Sequence, residues 1–125
     1  MANDQATTVL LGARTAIGAS AWLTPRLSGR LFGLDPANNP QASYLARLFG
    51  IRDVALAYGL NTSTASQRST WLRIGLACDL ADAVAGVLAG RRGDLPPFTT
   101  VLVTGTALVA AGLGVAALQG EQSAG

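Results

Sequence analysis

The chain reads as an all-α integral membrane protein, an antiparallel bundle of four transmembrane helices forming one domain over residues 1–125. Three observations predict this. Half of the residues are hydrophobic and only 13% are charged, against about 25% charged in a soluble domain, so polar residues are too few to coat a water-facing surface. The stretch from Phe98 to Leu118 carries no charge and matches the roughly 20 apolar residues that cross a hydrocarbon core. Three more apolar segments, about 7–23, 44–61 and 71–90, are interrupted only by a few charges near their centres and ends. A water-soluble bundle would have to bury the 98–118 helix on every face, and three thin helices provide too little cover.

The first predicted helix spans about Thr7 to Leu23. The connection from Thr24 to Ser43 is the longest, with Pro25, Pro36 and Pro40 along it and a turn or break at Asp35-Pro36. Within it, Leu27, Leu31, Phe32 and Leu34 alternate with Arg26 and Arg30. This pattern predicts a short helix at the membrane interface, its arginines turned to lipid phosphates. The second helix covers about Tyr44 to Asn61, followed by a short polar loop near Thr62 to Ser69. The third, about Trp71 to Gly90, carries Ala77, Ala81, Ala85 and Ala89 in one row and Gly86-x-x-x-Gly90 in another. Small residues at this spacing let helix backbones approach closely in lipid, and packing inside the bundle is their expected use. The connector from Arg91 to Pro97 is rich in turn formers, and the fourth helix carries Ala107, Ala111, Gly112 and Ala116 on similar rows. Trp22 and Trp71 stand at helix ends, where an interfacial aromatic belt accounts for them. Residues 1–6 and 119–125 read as frayed ends.

Arginine counts in the loops predict orientation. Arg26 and Arg30 lie in the first loop and Arg91 and Arg92 in the third, against Arg68 in the second. Loops one and three are therefore expected in the cytoplasm of a bacterium, with both termini outside the cytoplasmic membrane. No cleaved signal peptide is expected, because a basic leading region is missing and Arg14 interrupts the first apolar stretch.

Composition excludes several function classes. The net charge is +2, but the nine basic residues are scattered, whereas a nucleic-acid surface needs clustered cations. All nine are arginine, which removes lysine Schiff-base chemistry. Histidine is absent, and with it the commonest general base and metal ligand. Cys78 stands alone, so no intramolecular disulfide, CxxC zinc site or redox pair forms; a small buried hydrophobe is its expected role. No cofactor or metal is expected.

The residues that carry chemistry are Arg14, Arg52, Asp53, Asp79 and Asp82, all near the middles of their predicted helices. A charge at mid-bilayer costs roughly 2.5 to 3.5 kcal/mol on insertion scales and usually faces a partner or a cavity. Asp79 and Asp82, at i and i+3, share a helix face. Arg52 and Asp53 point about 100° apart, so one faces the bundle centre while the other looks to a neighbouring helix; Arg14 is able to reach either. Two arginines against three aspartates leave one carboxylate surplus, and the expectation is that Asp79 and Asp82 share a proton. A neutral acid held against an ionised one is the arrangement that general acid and base chemistry uses. Asp79, Asp82, Arg52 and Asp53 are thus the catalytic candidates. Arg14 is a ligand-binding candidate, as are Arg47 and Arg73 if they reach in from nearer the helix ends, where they are also able to snorkel.

Asp-Arg-Asp resembles, in residue types only, the water-activating group of limonene-epoxide-type hydrolases, whose fold is soluble and different. The leading expectation is a lipophilic small molecule bound at the charged layer, with isomerase, cyclase or epoxide-opening chemistry. An accessory subunit docked by its Ala and Gly rows to a larger membrane partner, or forming a homo-oligomer, is the second expectation, and a proton-linked transporter the third. Against all three stands the plain structural role, in which buried Arg/Asp pairs only fix helix register.

The text Trp22-Leu-Thr-Pro25-Arg26, then Leu31-Phe-Gly-Leu-Asp35, Arg47-Leu-Phe-Gly-Ile-Arg52-Asp53, and Trp71-Leu-Arg73-Ile-Gly75 running to Asp79 and Asp82 resembles a group of small actinobacterial membrane proteins grouped as a domain of unknown function. The resemblance covers nearly the whole chain, with Arg-x4-Arg-Asp and Asp-x2-Asp as its most specific parts. It implies a four-helix membrane protein and no particular activity.

Overall fold

A computed structural model describes residues 2–124, which fold into five helices: α1 (Ala2–Leu23), α2 (Pro25–Leu31), α3 (Gln41–Thr62), α4 (Ala65–Arg91) and α5 (Pro97–Ala124). No strand occurs among them. The four long helices cover the four apolar segments, and α2 supplies the short helix expected in the first connection. Pro25 opens α2 at its first turn, where a missing N–H costs nothing.

Three boundaries differ from expectation: α1 begins at Ala2, so 2–6 is helix where a frayed end was expected, and two others differ for local reasons. The polar stretch after Thr64 is helix rather than loop, because Gln67 Oε1 accepts a hydrogen bond from the Thr64 N–H at 3.3 Å and the Thr-x-x-Gln spacing starts α4 as a capping box does. The 119–124 stretch continues α5 instead of fraying, and Arg68 near the start of α4 meets Glu121 there at 3.5 Å. Met1 and Gly125, parts of the expected frayed ends, lie outside the described residues.

In the bundle α1 packs along both α3 and α5, and α5 along α4. The α3 and α4 helices follow one another in sequence yet share the thinnest seam, and α1 and α4 face each other across the bundle diagonal. Glycine permits the closest crossings. At α1 and α3 a Cβ on Gly18 would fall 2.6 Å from the Gly50 carbonyl oxygen, and one on Gly50 would meet the Gly18 carbonyl at 2.6 Å. At α4 and α5, Gly86 and Gly90 receive Thr104 and Thr100. The Gly row of α4 is thus the internal one, whereas Ala77, Ala81 and Ala85, also expected to pack inside, are exposed. The row at i, i+4 has two small-residue faces, and only the one carrying no Cβ admits the Thr side chains of α5. The half-buried ring of Trp71 lies over Gly59 of α3, close to the turn between α3 and α4.

The buried apolar cluster, Ala6, Leu10, Leu60, Leu72 and Ala117, occupies the end of the bundle near the Ser63-Thr64 turn. Towards the other end the interior holds small residues such as Gly18, Ala21, Gly50 and Gly86. Large apolar side chains instead point outward, among them Leu45, Leu80, Val84, Val101, Leu108 and Val109. Among the described residues one helix, Pro97–Gln122 within α5, is long and apolar enough to cross a membrane by length and composition. The cores of α3 and α4 carry Arg47, Arg52 and Asp53, and Arg73, Asp79 and Asp82, respectively.

The α2 end is pinned by Gly33, whose φ of 79° lies in the left-handed region that favours glycine. Its carbonyl accepts a 2.9 Å hydrogen bond from Thr99 Oγ1 at the start of α5, and Thr99 is fully buried. Gly33→Ala combines the left-handed penalty with a clash against Thr99 and Phe98. A loss of about 1 to 2 kcal/mol is expected in thermal or denaturant unfolding.

Candidate functional site

Residues from α1, α3 and α4 form a charged layer midway along the bundle. Arg14 on α1 reaches across the diagonal to α4, where its Nη1 and Nη2 donate to Asp79 Oδ1 and Oδ2 at 3.0 and 2.6 Å. Helices so far apart meet through the length of the arginine, and Gly75 makes room for it, since a Cβ there would fall 2.8 Å from Arg14 Nη2. Arg14 is 5% and Asp79 3% exposed. This is a bidentate pair, the geometry in which guanidinium and carboxylate match best.

A second bidentate pair closes the α3 and α4 seam. Arg52 Nη1 and Nη2 donate to Asp82 Oδ1 and Oδ2 at 3.0 and 2.5 Å, and the guanidinium carbon lies 4.8 Å from the centroid of the Phe49 ring one turn back, a cation–π distance. These side chains are 34% and 30% exposed. The seam pair is the outward edge of the layer.

Asp53 sits between the two pairs. Its Oδ1 lies 3.7 Å from Arg14 Nη1 and 3.6 Å from Arg52 Nη2, too far for a hydrogen bond. Both guanidiniums turn their paired donors to other carboxylates, and Asp53 Oδ1 and Arg52 Nε are buried without a hydrogen-bond partner. The layer therefore runs Asp79, Arg14, Asp53, Arg52, Asp82, with charges alternating in sign. The shared proton expected between Asp79 and Asp82 is corrected here: each has its own arginine, because positions i and i+3 on α4 face α1 and α3 respectively. The surplus carboxylate is Asp53.

The remaining candidates lie elsewhere. Arg47 is exposed near the start of α3, where its Nε donates to the Trp22 carbonyl at 3.1 Å. Arg73 is exposed on α4. Neither reaches the layer, because both side chains lie on the outer surface of their helices. Cys78 is half-buried beside Asp79 with a free thiol.

Sequence reasoning missed two contributors. Gly75, one turn before Asp79, is the space that admits the Arg14 head. Ser43, whose hydroxyl is buried without a partner, stands beside Arg26, Arg30 and Arg47 in a hollow of about 520 Å³ between α1, α2 and the start of α3. A second hollow, of about 470 Å³, lies between α4 and α5 near Gly90 and Thr104. Neither hollow is lined by the charged layer. No family model, curated protein or solved structure matches this chain, so its functional reading rests on this geometry.

Proposed function

We propose that the chain is a multi-pass membrane protein that binds the polar group of a lipophilic small molecule at the outward edge of its charged layer. In this reading Arg52 and Asp82 meet the ligand at the α3 and α4 seam, and Asp53 behind them holds or moves a proton. The observation that carries it is Asp53: a buried carboxylate oxygen without a hydrogen bond, next to the one ion pair of the layer that is open to the outside. A buried polar group left unsatisfied costs roughly 1 to 3 kcal/mol, more when charged, and a ligand or a proton removes that cost. Acid and base chemistry of the isomerase, cyclase or epoxide-opening kind needs such a carboxylate beside a guanidinium that stabilises developing negative charge.

The distribution of side chains supports the membrane part. The charges of the layer gather between the helices in ion pairs, while large apolar side chains such as Leu80, Val84, Leu108 and Val109 face out. Only 22% of the apolar window of α5 is buried, whereas the core helix of a soluble protein is covered on most faces. The charges in the cores of α1, α3 and α4 include the paired set of the layer, so much of their cost in lipid is met internally. Arg26, Arg30, Arg47, Arg91 and Arg92 all gather at the α2 end, which the positive-inside rule puts in the cytoplasm.

The test is native mass spectrometry of protein extracted from membranes, comparing wild type with Asp53→Asn and Asp82→Asn. Both variants keep the Arg14 and Asp79 pair, and the seam pair, partly open to the outside, is expected to contribute about 1 kcal/mol to folding. They are expected to fold and to lose a small molecule that the wild type retains. Recovery of the protein in the aqueous fraction without detergent would end the membrane reading; a ligand held equally by all three proteins would end the assignment of the seam.

A second reading is favoured by the outward row Ala77, Ala81 and Ala85, flanked by exposed Leu80, Val84 and Leu88: an accessory subunit whose charged layer sets helix register while α4 docks a larger membrane partner. Wild type that is empty of ligand, with Ala81→Leu releasing a co-purified protein, would favour it.

A further inference from the structure

We propose that the hollow between α1, α2 and the start of α3 is a binding site for a phosphate-bearing anion, with the headgroup of an anionic phospholipid as its occupant in a membrane. Arg26, Arg30 and Arg47 line it together with Leu23, Leu27 and Ser43. Among the described residues none of these arginines is in an ion pair, and no carboxylate lines the hollow. The acids at that end are turned away: Asp35 accepts from the Asn38 N–H and Nδ2 at 3.3 and 2.6 Å within its own turn, and Asp94 lies in the other connection.

Three unpaired guanidiniums gathered around one hollow repel one another, and an anion removes that repulsion. Arginine presents paired N–H groups that match phosphate oxygens. Arg47 is held by its Nε bond to the Trp22 carbonyl, which leaves both Nη groups free to donate. Ser43 lines the same hollow, with its Oγ buried and without a hydrogen-bond partner. Leu23 and Leu27 are 73% and 53% exposed beside the arginines. That juxtaposition of exposed apolar and cationic side chains fits a phosphodiester with hydrocarbon attached, and the volume of about 520 Å³ accommodates a headgroup. The site is separate from the charged layer; its lipid occupant rests on the membrane reading proposed above, whereas its anion chemistry does not.

The experiment is a titration of delipidated full-length protein in detergent with phosphatidylglycerol, with phosphatidylcholine and with inorganic phosphate, read by native mass spectrometry for the lipids and by ³¹P line broadening for phosphate. Wild type should bind one phosphatidylglycerol in preference to phosphatidylcholine. Each arginine near an anionic headgroup contributes roughly a fivefold gain in affinity, so Arg26→Gln, Arg30→Gln, Arg47→Gln together should weaken it about 100-fold. If that protein fails to fold, the double variant Arg26→Gln, Arg30→Gln leaves the Trp22 contact in place and should lose about 25-fold. Arg91→Gln, Arg92→Gln removes equal charge at the same end but outside the hollow, and should change affinity less than fivefold. Inorganic phosphate binding as tightly as the lipid, with the same loss in the hollow variants, upholds the anion site and assigns it to a soluble phosphate compound. Equal losses in the two pairs of variants, or no binding of either probe by wild type, overturns it.

Discussion

Replacing Asp79 by alanine is expected to cost roughly 3 to 5 kcal/mol of stability, because it leaves a buried charge without its partner. The reason is the environment of the partner left behind. Arg14 is 5% exposed, lies across the bundle diagonal and directs both Nη groups at Asp79. Its next carboxylate, Asp53, is 3.7 Å away and is already drawn on by Arg52. Without Asp79 the guanidinium has no hydrogen-bonding acceptor, and its side chain is packed over Gly75 with no route to the surface. Removing both charges tells a different story: Arg14→Met with Asp79→Leu should recover most of the loss, because two apolar groups of similar volume impose no desolvation cost. Thermal unfolding in detergent, followed by circular dichroism, measures all three proteins. An Asp79→Ala variant within about 1 kcal/mol of wild type, the range of an exposed pair, would mean that Arg14 finds another partner or water. The contrast with Asp82 is informative, since its partly exposed pair is expected to matter for ligand retention and little for stability.

Gly50→Leu should be comparably damaging through sterics alone. At the crossing of α1 and α3 a Cβ on Gly50 meets the Gly18 carbonyl oxygen at 2.6 Å and the Trp22 backbone nitrogen at 3.0 Å. Both obstacles are main chain, so no rotamer change relieves them and the helices must separate. Overpacking generally costs about 1 to 3 kcal/mol, and this position belongs at the upper end of that range. Separation of α1 from α3 also pulls Arg14 from Asp53, which ties the crossing to the charged layer. Gly12→Ala is the control. Nothing lies within 4 Å of a Cβ there, and in a helix interior the change should stabilise by up to about 1 kcal/mol. Equal unfolding midpoints for Gly50→Leu and wild type would show that the close crossing is not maintained in solution.

Much of the helical architecture was legible because its causes are local. An uninterrupted apolar run marked α5, prolines marked the first connection, and the spacing of leucines and arginines marked α2. The missed start of α4 was also local, a Thr-x-x-Gln pair hidden by the polarity of the residues after it. The rows of α4 were a different kind of error. Both the alanine and the glycine row satisfy the same spacing, and only the neighbour decides: the Thr100 and Thr104 side chains of α5 fit against glycine and face away from Ala77, Ala81 and Ala85.

The charged layer divides the same way. From the sequence alone it follows that four long helices form, that three of them carry charges near their middles, and that these comprise two arginines and three aspartates; these depend only on which residues stand where along the chain. Which carboxylate is left over depends on order in space. Placing α1 diagonal to α4 gives Asp79 to Arg14, the seam gives Asp82 to Arg52, and Asp53 is the carboxylate without a hydrogen-bonded arginine. Helix periodicity defines a face but not the neighbour it meets, and the close fits that only glycine allows, backbone to backbone at Gly18 and Gly50 and threonine side chains against Gly86 and Gly90, bring particular faces together.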